Sequence, residues 1–97
     1  MVNVKWLPEA LDDIQRPYYF LLDKDVTAAE QATASILKSS ILLKTASRLG
    51  KPMSDESGRR ELFMAFGAGA YVLRYKFENE NAIVIIRVWH SKENRII

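Results

Sequence analysis

Apolar and polar residues alternate over Val2, Asn3, Val4, Lys5 and Trp6, the two-residue period of a short half-buried strand. Leu7-Pro8 ends that pattern. Pro8 suits the first position of a helix, where its missing N–H would lack a partner anyway, and Glu9, Asp12 and Asp13 favour the positive end of the helix dipole. The apolar positions Ala10, Leu11, Ile14, Tyr18, Leu21 and Leu22 then follow i, i+3, i+4 spacing and form one stripe for burial. Pro17 interrupts this pattern. It removes the bond to the Asp13 carbonyl and predicts a kink or a break, at about 3 kcal/mol relative to Ala. After the polar connector Asp23-Lys24-Asp25, Thr27-Ala-Ala-Glu30 has the form of a capping box and predicts a second helix. Ala29, Ala32, Ile36, Leu37 and Leu43 carry it to about Arg48, with Gly50 as its stop, so the two helices are expected to form a hairpin.

Lys51 to Gly58 has turn composition and predicts a surface loop. Arg59 to Phe66, Tyr71 to Phe77 and Ala82 to His90 are rich in aromatic and β-branched residues, and short loops join them as antiparallel hairpins. A register with Phe66 opposite Tyr71, Met64 opposite Leu73 and Leu62 opposite Tyr75 gathers apolar side chains on one face and sets Glu61 opposite Lys76. Across the second loop, Tyr75 meets Val84, Leu73 meets Ile86 and Tyr71 meets Val88. The expected fold is α+β: an N-terminal strand, a two-helix hairpin, then a three-stranded antiparallel sheet carrying the hairpin on its apolar face, all in a single domain over 1–97.

The same alternation sends Glu61, Phe63, Ala65, Val72, Arg74, Lys76, Ile83, Ile85, Arg87 and Trp89 to the opposite face. A solvated face would be mostly polar, so this one is expected to be covered. One cover is a partner peptide or helix, with the arginines suited to partial desolvation and to acids. The other is a part of the same chain or a twin subunit. A bulge near Gly67 to Gly69 would flip every residue beyond it. Arg59, Arg60, Lys92 and Arg95 fall near the sheet ends and read either as solvated charge or as binding residues.

Composition narrows the chemistry. The 97 residues are 48% hydrophobic and 27% charged, the balance of a folded soluble chain. A net charge of +2 is small for coating nucleic acid, so little affinity for free DNA is expected. With no Cys and a single His90, thiolate and histidine metal clusters have no members, and neither metal nor cofactor is expected. The start of the chain holds no apolar signal core, and no apolar run approaches the roughly 18 residues of a membrane span, which predicts a cytoplasmic protein with no membrane partner.

Three strings, Arg59-Arg-Glu-Leu-Phe63, Gly67-Ala-Gly-Ala-Tyr-Val-Leu-Arg-Tyr75 and Ile85-Ile-Arg-Val-Trp-His-Ser91, resemble the RelE/ParE toxin superfamily. Trp6-Leu-Pro-Glu-Ala-Leu-Asp-Asp-Ile14 is similar to its first helix, and the order of strand, helical hairpin and antiparallel sheet is its architecture. The resemblance implies a toxin of a type II toxin–antitoxin pair, a cause of growth arrest and plasmid stabilisation, neutralised by a cognate antitoxin whose C-terminal segment wraps it. RelE-like members cut mRNA on the ribosome; ParE-like members poison DNA gyrase and have no recognised nuclease site.

Metal-independent RNA cleavage needs a base for the 2′-hydroxyl, cations at the scissile phosphate and a proton donor to the leaving oxygen. In RelE-like nucleases an Arg commonly follows the strand Tyr, and a Tyr or similar group lies in the C-terminal tail. Here Val72 follows Tyr71, and Ser91 to Ile97 holds no Tyr. Arg74 keeps the same face two positions on, so Arg74, Arg87 and His90 are the catalytic candidates of the nuclease reading. The parity of His90 places it with Val84, Ile86 and Val88 on the helix side, where a structural role is the alternative. Ile86-Arg-Val-Trp-His90 is similar to the last strand of ParE-like members, and near-neutral charge fits a protein target. The expectation is a ParE-like gyrase inhibitor that is not an enzyme. The alternatives are a RelE-like endoribonuclease acting on the ribosome and a non-toxic binding subunit of the same fold.

Overall fold

The structure, a computed structural model, describes residues 1–22, 25–67 and 69–92, with the backbone alone over 16–22. In chain order, β1 (Asn3–Trp6), α1 (Pro8–Leu22) and α2 (Val26–Leu42) precede β2 (Lys51–Pro52), β3 (Arg59–Phe66), β4 (Gly69–Asn79) and β5 (Ala82–His90). The strands form one five-stranded sheet in the order β1-β5-β4-β3-β2. β1 runs parallel to β5, and the other neighbours are antiparallel. The sheet therefore exceeds the expected three strands at both edges. β1 joins it, and part of the expected loop, Lys51–Pro52, pairs with Glu61 and Arg60. Pro52 is tolerated there because an edge strand has no outer ladder to feed.

Helix α1 starts at Pro8 as expected, with the Leu7 carbonyl accepting from the Ala10 and Leu11 amides at 3.0 and 3.1 Å. Its backbone continues as one helix past Pro17, so the expected break is absent; the Pro17 side chain lies outside the described residues. Helix α2 starts at Val26 rather than at the Thr27 box, because the Asp25 carboxylate caps it first, accepting from the Ala28 amide at 3.2 Å. It ends at Leu42, short of the expected Arg48.

Tyr75 explains that early end. Its hydroxyl donates to the Ser47 carbonyl at 2.8 Å and accepts from the Gly50 amide at 2.8 Å. The ring lies so close to Gly50 that a Cβ there would meet Tyr75 Cε1 at 2.5 Å. Arg60 Nη1 donates to the Gly50 and Arg48 carbonyls at 2.7 and 3.1 Å. The chain after α2 is thus folded onto the sheet by a phenol and a guanidinium, a conformation no helix continuing to Arg48 could adopt.

The helices and sheet bury Ala10, Ala32, Ile36, Leu43, Leu73, Tyr75, Ile83 and Ile85 completely. Alanines at the helix contact let α1 and α2 approach the sheet closely, and each fully buried Leu or Ile contributes about 1.5–3 kcal/mol. Ser39 of α2 reaches the Met64 thioether of β3 across the same layer.

Two corrections to the register follow. Phe66 pairs with Gly69, the chain leaves β3 through Gly67 at φ 62°, and Leu62 faces Leu73 where Tyr75 was expected. The shift is by two residues, which preserves the faces but makes Arg74, not Lys76, the partner of Glu61. Between β4 and β5 the pairing passes from Arg74↔Arg87 to Tyr75↔Ile85, leaving Ile86 as the extra residue of a bulge. This flips the first half of β5. Ile83 and Ile85, expected on the outer face, lie in the core beneath the helices at 0% exposure.

Burial pushes the Tyr75 phenol above its ordinary value, outweighing its bond from the Gly50 amide and the nearby Arg60 and Arg48 charges. The phenol of the unfolded chain ionises near pH ~10 while the folded one stays protonated. Stability is therefore constant in this respect below about pH 10 and falls as pH rises above it. Chemical denaturation between about pH 8 and 11 should show that decline in the native chain and a shallower one in Tyr75→Phe.

Candidate partner-binding face

The register lays out the sheet face away from the helices in rows. Trp89, Val72 and Phe63 are successive partners across β5, β4 and β3. Arg87, Arg74, Glu61 and Lys51 form the next row, and Lys5, Val84, Lys76 and Arg59 the one beyond. In the first row Phe63 is 58% exposed, while Val72 between its aromatic neighbours is 2% exposed.

Arg74 sits at the centre. Its Cζ lies 4.9 Å from the centroid of the Trp89 ring, and its Nε and Nη2 both donate to Glu61 Oε2, at 3.0 and 2.8 Å. The side chains of Arg74 and Glu61 are only 12% and 20% exposed, so the pair is shielded from solvent well beyond an ordinary surface ion pair. Arg74 thereby bridges the apolar row and the acid.

Arg87 has a different partner. β1 ends at Trp6, and the Leu7 amide makes the last bond of that edge, to the Ile85 carbonyl at 3.0 Å. Beyond it, Asp13 of α1 takes the place of a strand. One carboxylate oxygen accepts from the Val88 amide at 2.8 Å, and the two oxygens accept from Arg87 Nε and Nη2 at 2.8 and 3.0 Å. Asp13 is 3% exposed, whereas the Arg87 side chain stays 39% exposed at the sheet edge. The fork-on-fork geometry neutralises the guanidinium and fixes α1 against β5.

His90 lies on the helix side, as its parity predicts. Its Nδ1 accepts from the Lys92 amide at 3.1 Å, which assigns the ring proton to Nε2 and makes that atom the donor to the Phe66 carbonyl, also at 3.1 Å. The ring stands edge-on to Tyr71 at 4.9 Å. Both nitrogens thus serve backbone groups.

The remaining candidates divide. Lys76 is exposed and Arg59 half-buried, opposite each other on the outer face. Arg60 points to the helix side and holds the chain at Arg48 and Gly50. Lys92 is exposed, and Arg95 lies outside the described residues. Ile83 and Ile85 leave the site altogether. Sequence reasoning missed Asp13 and Glu61 as the acids that meet the arginines. Asp13 reads as a helix-dipole residue in the chain, and the partner of Glu61 depends on a register that only the Gly67 turn determines. Among the described residues no cluster of His, Asp and Glu comes together as a metal site, and no helix is long and apolar enough to cross a membrane.

The family profile described as ParE toxin of type II toxin-antitoxin system, parDE, matches residues 4–95. The chain belongs to this ParE toxin family. A relative, toxin RelE3 of Caulobacter vibrioides, is 37% identical over 95 residues, spanning 98% of this chain and 100% of its own length. A solved structure, the chromosomal ParDE TA system from P. aeruginosa, superposes on this ParE-family chain with a TM-score of 0.72 at 20% identity, over 93% of this chain and 96% of the other. That likeness establishes the fold, and the profile and the relative establish a toxin of a type II toxin–antitoxin system within the RelE/ParE superfamily.

Two measurements check this ParE-family site. A double-mutant cycle over Glu61→Ala and Arg74→Ala should give a coupling of about 1–2 kcal/mol in denaturant unfolding, above the exposed-pair range. Asp13→Ala should destabilise by about 2–3 kcal/mol, since it removes the carboxylate that accepts from the Val88 amide and from Arg87 at the sheet edge. Equal stability of the native chain and Asp13→Ala would contradict the edge-closing role.

Proposed function

We propose that this chain arrests growth by binding and inhibiting DNA gyrase in the cytoplasm, without cutting nucleic acid, and that a cognate antitoxin holds it inactive. The observation that supports this reading is the pairing of both candidate phosphate-binding cations. Arg74 is closed on Glu61 and Arg87 on Asp13. Electrostatic stabilisation of a phosphorane requires donors aimed at the developing charge, and a guanidinium bound to a carboxylate carries its compensation with it. His90, with both nitrogens on backbone groups, lacks the geometry of a proton donor to a leaving oxygen. On this reading the outer-face residues Phe63, Arg74, Lys76, Trp89 and Arg59 contact a protein partner, whereas Arg60 and Arg87 position the chain behind them.

The name of the Caulobacter relative supports a second reading, a ribosome-dependent mRNA endoribonuclease. In it, Arg74 would exchange Glu61 for the substrate phosphate. The two separate cleanly in purified systems. The first predicts loss of gyrase supercoiling with ribosome-bound mRNA left intact. The second predicts the reverse, with Arg74→Ala abolishing cleavage in a folded protein.

A further inference from the structure

On the outer face the charged side chains meet acids: Arg74 and Arg87 are register partners of like charge, but each is closed on a carboxylate of its own. Glu61 meets Arg74, and Lys5 Nζ meets Glu78 Oε1 at 2.7 Å. Arg59 and Lys76 are direct register partners of like charge, and among the described residues neither is in an ion pair. Like charges opposite each other destabilise a sheet. Asp55 feels Arg59 only weakly: its carboxyl is held below the ordinary value mainly by the Ser57 hydroxyl and amide, with Arg59 the smallest contribution. Lys51, partner of Glu61, adds an exposed cation in the neighbouring row.

The apolar row lies on the same side. Phe63 and Arg59 are four residues apart on β3, so the apolar and cationic rows are separated by about 13 Å. Between them Arg74 and Glu61 cancel each other, and a carboxylate placed there would meet Glu61.

We infer that this face takes one segment of the antitoxin, with a carboxylate on the Arg59–Lys76 row, uncharged side chains over Arg74–Glu61, and an apolar side chain on Phe63 and Trp89. The segment's order of acid, neutral and apolar fixes its direction along β3. Extended chain spans the rows in about four residues and a helix in about nine. The inference rests on the toxin–antitoxin reading and is independent of whether gyrase or the ribosome is the target.

The test measures the affinity of the full-length toxin for its purified cognate antitoxin at about 50 mM and about 500 mM salt, together with thermal unfolding of the free toxin. Lys76→Glu should weaken binding about 10-fold or more at low salt and less at high salt. The same change turns a repulsive cross-strand pair into an attractive one, so the free variant should melt higher than the native toxin. Loss of affinity with gain of stability is a combination that damage to the fold does not produce. Arg59→Glu makes the exchange from the other strand and should act alike. Phe63→Ala should weaken binding at both salt concentrations.

Native affinity in Lys76→Glu and Arg59→Glu at low salt overturns the inference, as does weakening that ignores salt. Antitoxin binding intact while the same variants lose binding to a short RNA duplex would assign the row to nucleic acid and overturn it too. Failure of the native toxin to bind the antitoxin at all would instead overturn the toxin–antitoxin reading beneath it.

Discussion

A single extra residue in β5, the strand between β1 and β4, governs what each face of this molecule presents. Strict alternation would send Ile83, Ile85, Arg87 and Trp89 to one side. The bulge at Ile86 divides them: Ile83 and Ile85 enter the core, while Arg87 and Trp89 pair with outer-face positions of β4. Burying two isoleucines is worth about 1.5–3 kcal/mol each, against about 1 kcal/mol for a disturbed ladder bond. The bulge is therefore the favoured solution for this sequence. It also delivers Arg87 to the sheet edge where β1 has ended, within reach of Asp13.

From that placement comes a division of labour between two arginines with similar sequence surroundings. Arg87 meets a nearly inaccessible carboxylate from another element and locks helix to sheet. Arg74 meets Glu61 within the sheet and lies over Trp89, which leaves a neutral, partly apolar centre on the outer face. A buried ion pair is a modest source of stability, because desolvation offsets most of the attraction. Its clearer consequence is geometric. Asp13 satisfies the Val88 amide that would otherwise extend toward another strand, so this edge is closed by a side chain.

Much of the fold was legible in the chain because it depends on local periodicity. Pro8 as a helix start, the alternation of Val2 to Trp6 and the three long strands all follow from spacing. The failures lie where two local signals compete or where pairing is long-range. Asp25 outcompeted Thr27 as a cap, and Tyr75 pulled Ser47 and Gly50 out of a helical continuation. The outer face was half legible: Phe63, Arg74, Lys76 and Trp89 are placed there by parity, which a two-residue register shift preserves. Ile83 and Ile85 were misplaced because a bulge has no signature in a run of β-branched residues. The acids that neutralise the arginines were hidden for a related reason, since Asp13 and Arg87 are 74 residues apart.

The cationic row has no comparable account within the fold. Every other element of the outer face has a local reason: Arg74 its acid and ring, Lys5 its Glu78, Val72 its aromatic flanks. Arg59 and Lys76 face each other as like charges with no ion pair among the described residues, unlike Arg74 and Arg87, each of which is closed on an acid. A sequence that folds well is locally consistent, and departures concentrate where a surface has work to do with another molecule. Here the departure shares its face with Phe63, the most exposed aromatic among the described large hydrophobics. The coincidence of uncompensated charge and uncovered apolar surface, separated by a neutral pair, distinguishes this face from one shaped by folding alone.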